Sequence, residues 1–303
     1  MQKVLLYYKF TPISDPEAVK LWQKTLTDSL NLKGRILIST QGLNGTVGGE
    51  MEDLKKYIKA TKQYDSFKKV VFKWSEGARE DFPRMSVKTR KELVGFQNSE
   101  DEFDVDENGV IGGGKHLKPK QIHELIEKYG DDVVFFDGRN EHEAKIGKFK
   151  NAIVPNTNTS RDFIKELESD KYNDIKKKKV ITYCTGGIRC EVISAMMKKR
   201  GFEDVYQIDG GIVKYGESYG DDGFWEGSLR VFDDRMKVEF SDRAKTIGEC
   251  IHCQGKTSNF ENCALDSCND LVLICDSCKQ DPGLLFHTSE CKTIETNNVA
   301  RVT

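Results

Sequence analysis

Apolar and polar positions in the first hundred residues alternate between the two-residue period of strands and the longer period of helices. Pro16 follows Asp15, a pair that is typical of the first turn of a helix. The pattern predicts strands at Val4 to Tyr8, Gly34 to Thr40, Gly42 to Val47 and Val70 to Trp74, with helices at 15–30 and Met51 to Lys62. This β-α-β-β-α-β order predicts a ferredoxin-like, or acylphosphatase-like, α+β domain over residues 1–98.

The composition then changes to acidic residues and glycine. SEDEFDVDEN runs from Ser99 to Asn108, and Gly112-Gly113-Gly114-Lys115 follows, so a linker is predicted over 99–114. A glycine triplet before lysine also occurs in phosphate-binding loops. The flanking strand is missing here and His116 stands where such loops have Ser or Thr, so the linker is favoured.

From Pro119 onward the strand and helix patterns alternate again. Helices are predicted at 120–128, 160–169 and 190–200, and strands at Asp132 to Asp137, Lys179 to Tyr183 and Val205 to Ile208. Strands separated by helices indicate a parallel α/β domain, here 115–240, whose ligands bind beyond the carboxyl ends of the strands. Cys184 directly follows such an end. Beyond 240 the periodicity fades, and a small cysteine-rich unit is predicted over 241–303.

Charge is distributed unevenly over the 303 residues, of which 37 % are hydrophobic and 32 % charged. Residues 1–100 carry 18 basic and 12 acidic side chains, net +6, whereas 101–240 are net -5 and 241–303 net -3. A basic first third indicates an anionic partner, with nucleic acid the first candidate, although a solvated lysine-rich surface explains the charge equally well. The candidate contacts are Arg84, Lys88, Arg90 and Lys91.

The chain contains no run of transmembrane length, and the apolar run in Met1 to Phe10 is too short for a signal peptide. We therefore expect no membrane association. Nine cysteines without an export signal favour reduced thiols, metal ligands or catalysis over a disulfide framework. The expected location is the cytoplasm, and the sequence indicates no particular oligomeric state.

The segment around Cys184 carries the strongest chemical signal. An apolar strand ends at Tyr183, and Cys184 is followed by a loop of Thr185, Gly186, Gly187 and Ile188, then Arg189 at the start of a helix. A thiol there faces backbone N–H groups and the positive end of a helix dipole, which favour its anion. Arg189 adds a cation. The loop predicts a cradle for a thiolate, a persulfide or another anionic sulfur species.

Other interpretations of this loop are weaker. Cys184 could be an ordinary buried cysteine, but strand, glycines and arginine all coincide. Cysteine phosphatases place one residue more between their cysteine and arginine than the four found here. Cys190, on the first turn of the next helix, is either a resolving thiol or a small core residue.

The carboxyl-terminal cysteines have the spacing of zinc ligands. Cys250-x-x-Cys253 and Cys275-x-x-Cys278 form two close pairs of the kind found in four-cysteine zinc ribbons. A cross-braced pairing puts these four on one structural zinc and a second set on another: Cys263, Cys268, His287 and Cys291. A metal would replace the core that some 60 residues cannot build. The alternative is a metal-free knot, reduced or partly disulfide-bonded.

These motifs resemble known families. Over about 115–225 the chain resembles the rhodanese domain, through DGRNEHE at Asp137 to Glu143, CTGGIR at Cys184 to Arg189, and DGGI at Asp209 to Ile212. This resemblance implies that Cys184 is the active cysteine, with Arg189, Asp137 and Arg139 among the catalytic residues. Gly147-Lys148-Phe149 departs from the family pattern at the edge of the domain.

The whole chain resembles the bacterial tRNA uridine hydroxylase family. The shared segments are GRILISTQGLNGTVGG, FPRMSVKTRKELV, YCTGGIRCE, FDDRMKV at Phe232 to Val238, and the terminal cysteine array. The resemblance implies oxygen-dependent hydroxylation of the wobble uridine to 5-hydroxyuridine. The implied partner is the anticodon loop of tRNA, and dioxygen is the co-substrate with an unidentified reductant.

Two other functions compete with this one. A sulfurtransferase carrying a persulfide on Cys184 uses the same loop chemistry, and a non-enzymatic rhodanese-fold module is disfavoured by the presence of Cys184. Hydroxylation normally needs a metal or redox cofactor, but the sequence has no dinucleotide fingerprint and no convincing facial triad. Its five histidines, at 116, 123, 142, 252 and 287, leave an iron site open.

Overall fold

The computed structural model describes residues 1–96, 103–268 and 270–302. We call residues 1–96 the N-terminal unit, 103–240 the central unit and 241–302 the cysteine-rich unit. The N-terminal unit consists of β1 (Gln2–Phe10), α1 (Pro16–Ser29), β2 (Lys33–Ser39), β3 (Gly42–Glu50), α2 (Met51–Gln63), β4 (Val71–Ser75) and β5 (Met85–Thr89). Its sheet has the order β4-β1-β3-β2-β5. This arrangement confirms the predicted β-α-β-β-α-β domain and adds a fifth strand, β5, parallel to β2.

The two faces of this sheet have different partners because successive side chains point to opposite sides. Leu5 and Tyr7 of β1 lie in the core formed with Leu54 and Tyr57 of α2. The alternate residues Leu6, Tyr8 and Phe10 pack instead against the hydrophobic clusters of the central unit. The face without helices is thus docked on the central unit.

The central unit contains a parallel sheet of order β8-β12-β11-β9. Its elements are β6 (Val105–Asp106), β7 (Gly109–Val110), β8 (Lys115–Leu117), α3 (Pro119–Tyr129), β9 (Val133–Asp137), α4 (Glu141–Ala144), β10 (Gly147–Phe149), α5 (Asp162–Glu168), β11 (Lys179–Tyr183), α6 (Ile188–Lys199), β12 (Asp204–Ile208), α7 (Gly211–Tyr219), β13 (Trp225–Gly227), β14 (Leu229–Arg230) and β15 (Lys237–Val238). Val180 of β11 packs with residues of α5 and α6, whereas Ile181 packs with residues of α3 and α7. Helices therefore cover both faces, as predicted for a parallel α/β domain.

The predicted linker is packed against this unit along its described part. Residues 99–102 of that prediction lie outside the described residues. Beyond them, β6 and β7 pair as a short hairpin, and the ring of Phe103 meets that of Phe10 edge-on at 5.9 Å. Gly114 N–H donates to Ser194 Oγ of α6 at 2.7 Å. The domain boundaries at 98, 114 and 240 stay predictions.

The cysteine-rich unit has little regular structure: β16 (Phe260–Asn262), β17 (Leu271–Leu273), α8 (Asp276–Lys279) and α9 (Ser289–Val302). Its apolar clusters are small, and cysteines form part of them. Among the described residues, none of the helices is both long enough and apolar enough to span a membrane.

Candidate active site

Cys184 lies where β11 ends, and the loop that follows turns back over it. Its thiol is 1 % exposed, and the backbone N–H of Gly187 donates to Sγ at 3.2 Å. The first turn of α7 supports the loop from outside, because Ile212 N–H donates to the Cys184 carbonyl at 3.0 Å and Val213 N–H to that of Thr185 at 3.1 Å. The predicted residues 184–189 therefore form a cradle of backbone donors.

Two glycines make this close packing feasible. Gly187 has φ of 100° and Gly211 has φ of 69°, in the left-handed region that side chains disfavour. A Cβ on Gly211 would lie 2.5 Å from the Cys184 carbonyl oxygen, and a Cβ on Gly187 would lie 3.0 Å from the Tyr8 hydroxyl. Gly187 is thus a contact with the N-terminal unit, and Gly211 is a contact with the cradle itself.

The loop makes Cys184 acidic despite its burial. Burial by itself raises the pKa of a thiol, but a hydrogen bond from the Cys190 thiol, the charge of Arg189 and the backbone N–H groups of Cys190 and Arg189 lower the pKa of Cys184 to about 5. Burial and the neighbouring Cys184 anion raise the pKa of Cys190. Cys190 is fully buried, 3.5 Å from Thr182 Oγ1, and acts as the protonated donor of the pair.

Arg189 is paired with a buried carboxylate through both ends of its guanidinium fork. Its Nη1 and Nη2 donate to the two oxygens of Glu143 at 2.6 and 3.0 Å, and Nη2 also lies 3.4 Å from Thr185 Oγ1. Glu143 of α4 is fully buried, and the charge of Arg189 offsets the effect of burial and lowers its pKa. Arg189 therefore acts on Cys184 through its charge, while its hydrogen bonds hold the loop to α4.

Asp137 and Arg139 form a second buried pair at the adjacent strand end. Arg139 Nε and Nη2 donate to the Asp137 carboxylate at 2.9 and 2.6 Å, and Nη2 donates to the Gly147 carbonyl at 2.7 Å. Both side chains are fully buried. Asp137 is paired with Tyr183 across the sheet, so this pair anchors the strand end from which Cys184 projects.

The N-terminal unit contributes residues that the sequence did not indicate. Lys73 of β4 donates through Nζ to the Gly186 carbonyl, and this ammonium also lies 4.9 Å from the centre of the Tyr8 ring. Lys73 is 7 % exposed; burial lowers its pKa to about 8, against the opposing charges of Cys184 and Asp209. The basic side chain that reaches the loop is therefore Lys73.

A polar network continues from Tyr8 into the central unit. Tyr8 OH donates to Glu191 Oε1 at 2.8 Å, and Glu191 Oε2 lies 3.3 Å from His116 Nε2. The carboxylates of Asp209, 3.9 Å from Nδ1, and of Glu191 raise the pKa of His116 to about 10. The one signal in the sequence is the alternation of side-chain direction along β1, which turns Tyr8 away from the core of the N-terminal unit.

The four predicted RNA contacts lie along the opposite edge of the same sheet. Arg84 precedes β5, Lys88 lies within it, and Arg90 and Lys91 follow it; all four are exposed. Cross-strand pairing aligns Tyr8, Asn44, Leu37 and Lys88 in one row. Three strand spacings of about 4.8 Å put Lys88 roughly 14 Å from Tyr8 along the docked face. The four therefore lie across the sheet from Lys73, which contacts the Cys184 loop, and do not reach that loop themselves.

The cysteines of the third unit come together in two groups. The thiol sulfurs of Cys250, Cys253, Cys275 and Cys278 all lie within 4.8 Å of one another. Cys263, Cys268 and Cys291 form the second group, and His287 approaches Cys268 and Asp270 within the same limit. All nine cysteines of the chain are free thiols. Among the described residues, groups able to share an ion occur in this unit alone.

The sulfurs of the first group are close enough together to share one metal ion. Zinc–sulfur bonds of about 2.3 Å put neighbouring sulfurs roughly 3.8 Å apart. The sulfurs of Cys253 and Cys275 are 3.5 Å apart. Beside the second group, and grouped with its Cys268 alone, His287 has its Nδ1 2.8 Å from Asp270 Oδ2, the kind of carboxylate partner that orients a ligating histidine.

Comparisons with known proteins agree with this architecture. Residues 2–93 match the model of a UPF0176 acylphosphatase-like domain, 118–218 a rhodanese-like domain, and 226–292 a rhodanase C-terminal region. The chain is 60 % identical over 280 residues to the tRNA uridine(34) hydroxylase of Corynebacterium jeikeium, covering 92 % of this chain and 90 % of that protein. It is 57 % identical over 294 residues to the protein of the same name from an Arthrobacter species, covering 96 % and 99 %. On this evidence, the chain belongs to the tRNA uridine(34) hydroxylase family.

Proposed function

We propose that this protein hydroxylates the wobble uridine of tRNA to 5-hydroxyuridine, with Cys184 as the reactive residue. The observation that carries the proposal is the identity of about 60 % with proteins named tRNA uridine(34) hydroxylase. For the Corynebacterium jeikeium protein the match covers 92 % of this chain and 90 % of that protein. The cradled thiol supports it as the acidic group best placed to react.

The reaction requires an oxidant and electrons from outside the chain. Replacing the C5 hydrogen of uridine by a hydroxyl with dioxygen consumes two electrons and two protons and releases water. We therefore propose dioxygen as the co-substrate with an external reductant. The anionic form of Cys184 supplies a sulfur nucleophile at the strand end, and the buried pairs of Arg189 and Arg139 are positioning residues.

The proposed RNA surface is the β5 edge of the N-terminal sheet, whose docked face leads toward the Cys184 loop. Arg84, Lys88, Arg90 and Lys91 are exposed there, and Arg35, in the row next to Lys88 on the docked face, is exposed too. An anticodon loop offers unstacked bases, so presenting its wobble position costs little. We propose that phosphates of the loop bind this edge while the base enters the Cys184 site. The expected location is the cytoplasm, where tRNA is modified.

The proposed metal is zinc in a structural role. Four thiolates would complete the first site. In the second, three thiolates lie together and His287, which is grouped with Cys268 and Asp270, would supply the fourth ligand, so that neither site leaves a position open for a substrate. The bound ion would stabilise a unit whose own apolar clusters are small.

The first prediction tests the reaction. In cells that lack their own enzyme, the wild-type chain restores 5-hydroxyuridine to tRNA and Cys184→Ser does not, because a hydroxyl is not an anion near neutral pH. Cys190→Ser is the matched control, since its hydroxyl still donates to the thiolate. Nucleoside mass spectrometry is the measurement. Activity in folded Cys184→Ser would refute the assignment, and loss of a thiolated base would indicate sulfur transfer.

A second prediction concerns the thiolate. A thiol with a lowered pKa is anionic above that pKa, so Cys184 should alkylate at a constant rate above about pH 6 and lose reactivity as the pH falls through about 5. Lys73→Met removes a facing cation and should move this transition to higher pH. Lys69→Met, exposed just before β4, should leave it unchanged. Iodoacetamide labelling quantified at Cys184 by peptide mass spectrometry measures the rate. A transition near the ordinary thiol value in the wild type would contradict the cradle.

A third prediction concerns the metal. Protein prepared without chelators should contain zinc, at most two ions per chain, and Cys250→Ser should release one ion and lower the melting temperature. His252 is exposed and outside both groups, so His252→Ala should retain both. Elemental analysis and thermal unfolding are the measurements. A zinc-free protein with a cooperatively folded cysteine-rich unit would support the metal-free knot.

A fourth prediction tests the RNA surface. Changing Arg84, Lys88, Arg90 and Lys91 to Gln should weaken binding of an anticodon stem-loop and flatten its log-log salt dependence by roughly 0.7 for each lost phosphate contact. A control with four changes at the amino end of the central sheet should keep the wild-type slope: Lys128, Lys176, Lys177 and Lys178. Fluorescence titrations over a range of salt concentrations measure both. Equal salt-dependence slopes for the two variants would show that the basic residues of the β5 edge do not contact the RNA phosphates.

A further inference from the structure

The segment 231–236 presents an exposed aromatic ring on a rigid loop. Phe232 is 65 % exposed, whereas Val231 before it is buried. The loop is fixed by a forked pair of Arg235 with Asp233, at 2.7 and 2.6 Å, and by Asp234 N–H, which donates to the Asp81 carbonyl at 3.0 Å. A large apolar ring is thus held in solvent by a loop that has little freedom to withdraw it.

One face of the Phe232 ring is covered by a buried cation. The Arg230 guanidinium lies 5.5 Å from the Phe232 centroid and 5.3 Å from that of Phe260. Arg230 is 6 % exposed and donates through Nη1 to the carbonyls of Val231 and Met236. Within the described part of the chain Arg230 makes no direct ion pair, but the carboxylates of Glu143 and Asp233 act on its charge from a longer distance. Its Nε has no acceptor there. Its charge therefore lacks a direct counter-ion, which favours an anionic ligand nearby.

Two chains of contacts connect this loop to the Cys184 cradle. On one side, Phe260 lies beneath Arg230 and meets the ring of His142 at 6.3 Å, and the next residue, Glu143, binds Arg189. On the other side, Arg235 donates to Ser75 Oγ at 3.1 Å. Ser75 lies two residues along β4 from Lys73, on the same face, and Lys73 contacts Gly186. The loop therefore borders the site between α4 and β4.

We propose that the exposed face of Phe232, backed by Arg230, is a stacking platform that binds an unpaired nucleotide of the RNA substrate beside the Cys184 site. Unpaired bases stack on aromatic side chains without regard to sequence, and a cation behind the ring suits the adjacent phosphate. The platform deepens the proposed function, on which it rests. RNA fits better than a protein segment because the neighbouring cation has no direct ion pair among the described residues. The same docked sheet also carries Arg84, Lys88, Arg90 and Lys91 along its other edge.

The test compares Phe232→Ala and Phe232→Trp in the full-length protein. The probe is an anticodon stem-loop with 2-aminopurine in the loop, whose fluorescence reports stacking. We expect Phe232→Ala to raise Kd about tenfold and to abolish the stacking signal, in line with alanine substitutions at other stacking sites. Phe232→Trp should bind as tightly as the wild type. Since Phe232 is exposed, neither change disturbs the core.

Tyr129 supplies the matched control. It is also exposed and has lysine ammonium groups over its ring, at 4.9 Å for Lys128 and 4.4 Å for Lys179. Lys179 is the first residue of β11, whereas Cys184 follows the last one. Tyr129, whose ring Lys179 covers, therefore lies at the amino end of the strands, away from Cys184. Tyr129→Ala should keep the wild-type Kd.

The outcomes separate the platform from the reaction. A wild-type Kd in Phe232→Ala, or an equal loss of affinity in Tyr129→Ala, would overturn the platform. The exposed ring would then serve a protein contact or no contact at all. If binding depends on Phe232 but tRNA gains no 5-hydroxyuridine, the platform stands and the proposed reaction fails. If 5-hydroxyuridine forms at the wild-type rate in Phe232→Ala with unchanged Kd, the platform alone fails.

Discussion

The structure around the loop is organised by the need to stabilise a negative charge on a sulfur atom that is almost fully removed from water. Burial disfavours the Cys184 anion, and an unpaired buried charge is costly. The fold compensates with backbone N–H groups at the start of α6, a thiol donor from Cys190 and the charge of Arg189. Because these donors are set by the end of a parallel strand and the first turn of a helix, they exist before any substrate binds.

The same requirement explains why the N-terminal unit is docked where it is. Arg189 cannot neutralise the thiolate alone, since its fork is bound to Glu143. Lys73 brings a second cation to the loop from another part of the chain, and the bond from Tyr8 to Glu191 holds the two units together beside it. The N-terminal unit is therefore part of the site as well as a basic surface. Phe10 packs into the hydrophobic core of the central unit, so the interface between the two units has apolar contacts as well as polar ones.

The sequence predicted what is encoded locally. Periodicity was sufficient for the first four strands and two helices. The residue types after Tyr183 were sufficient for the strand–loop–helix turn that carries Cys184, because strand, glycine and helix start are properties of neighbouring residues. Strand β5 was missed because Met85–Thr89 is short and flanked by basic residues, and because its pairing with β2 depends on a distant partner. Periodicity alone also does not indicate which residues of the central unit pack against a face of the N-terminal sheet. Lys73 and Gly186 are 113 positions apart, and no local pattern joins them.

Charge counted along the chain indicated a basic unit but not which of its lysines enters the site. Nothing in the sequence distinguishes Lys73 from the other lysines of the unit. In the structure its side chain lies on the face of β4 that contacts the loop, and Ser75 on the same face binds Arg235 of the segment 231–236. The Cys184 loop is therefore bordered by the N-terminal unit on one side and by α4 and the 231–236 loop on the other. An RNA loop is long enough to contact all three at once, whereas a small acceptor thiol is not. The extended surface is consequently better suited to a nucleic-acid substrate than to simple sulfur transfer between small molecules.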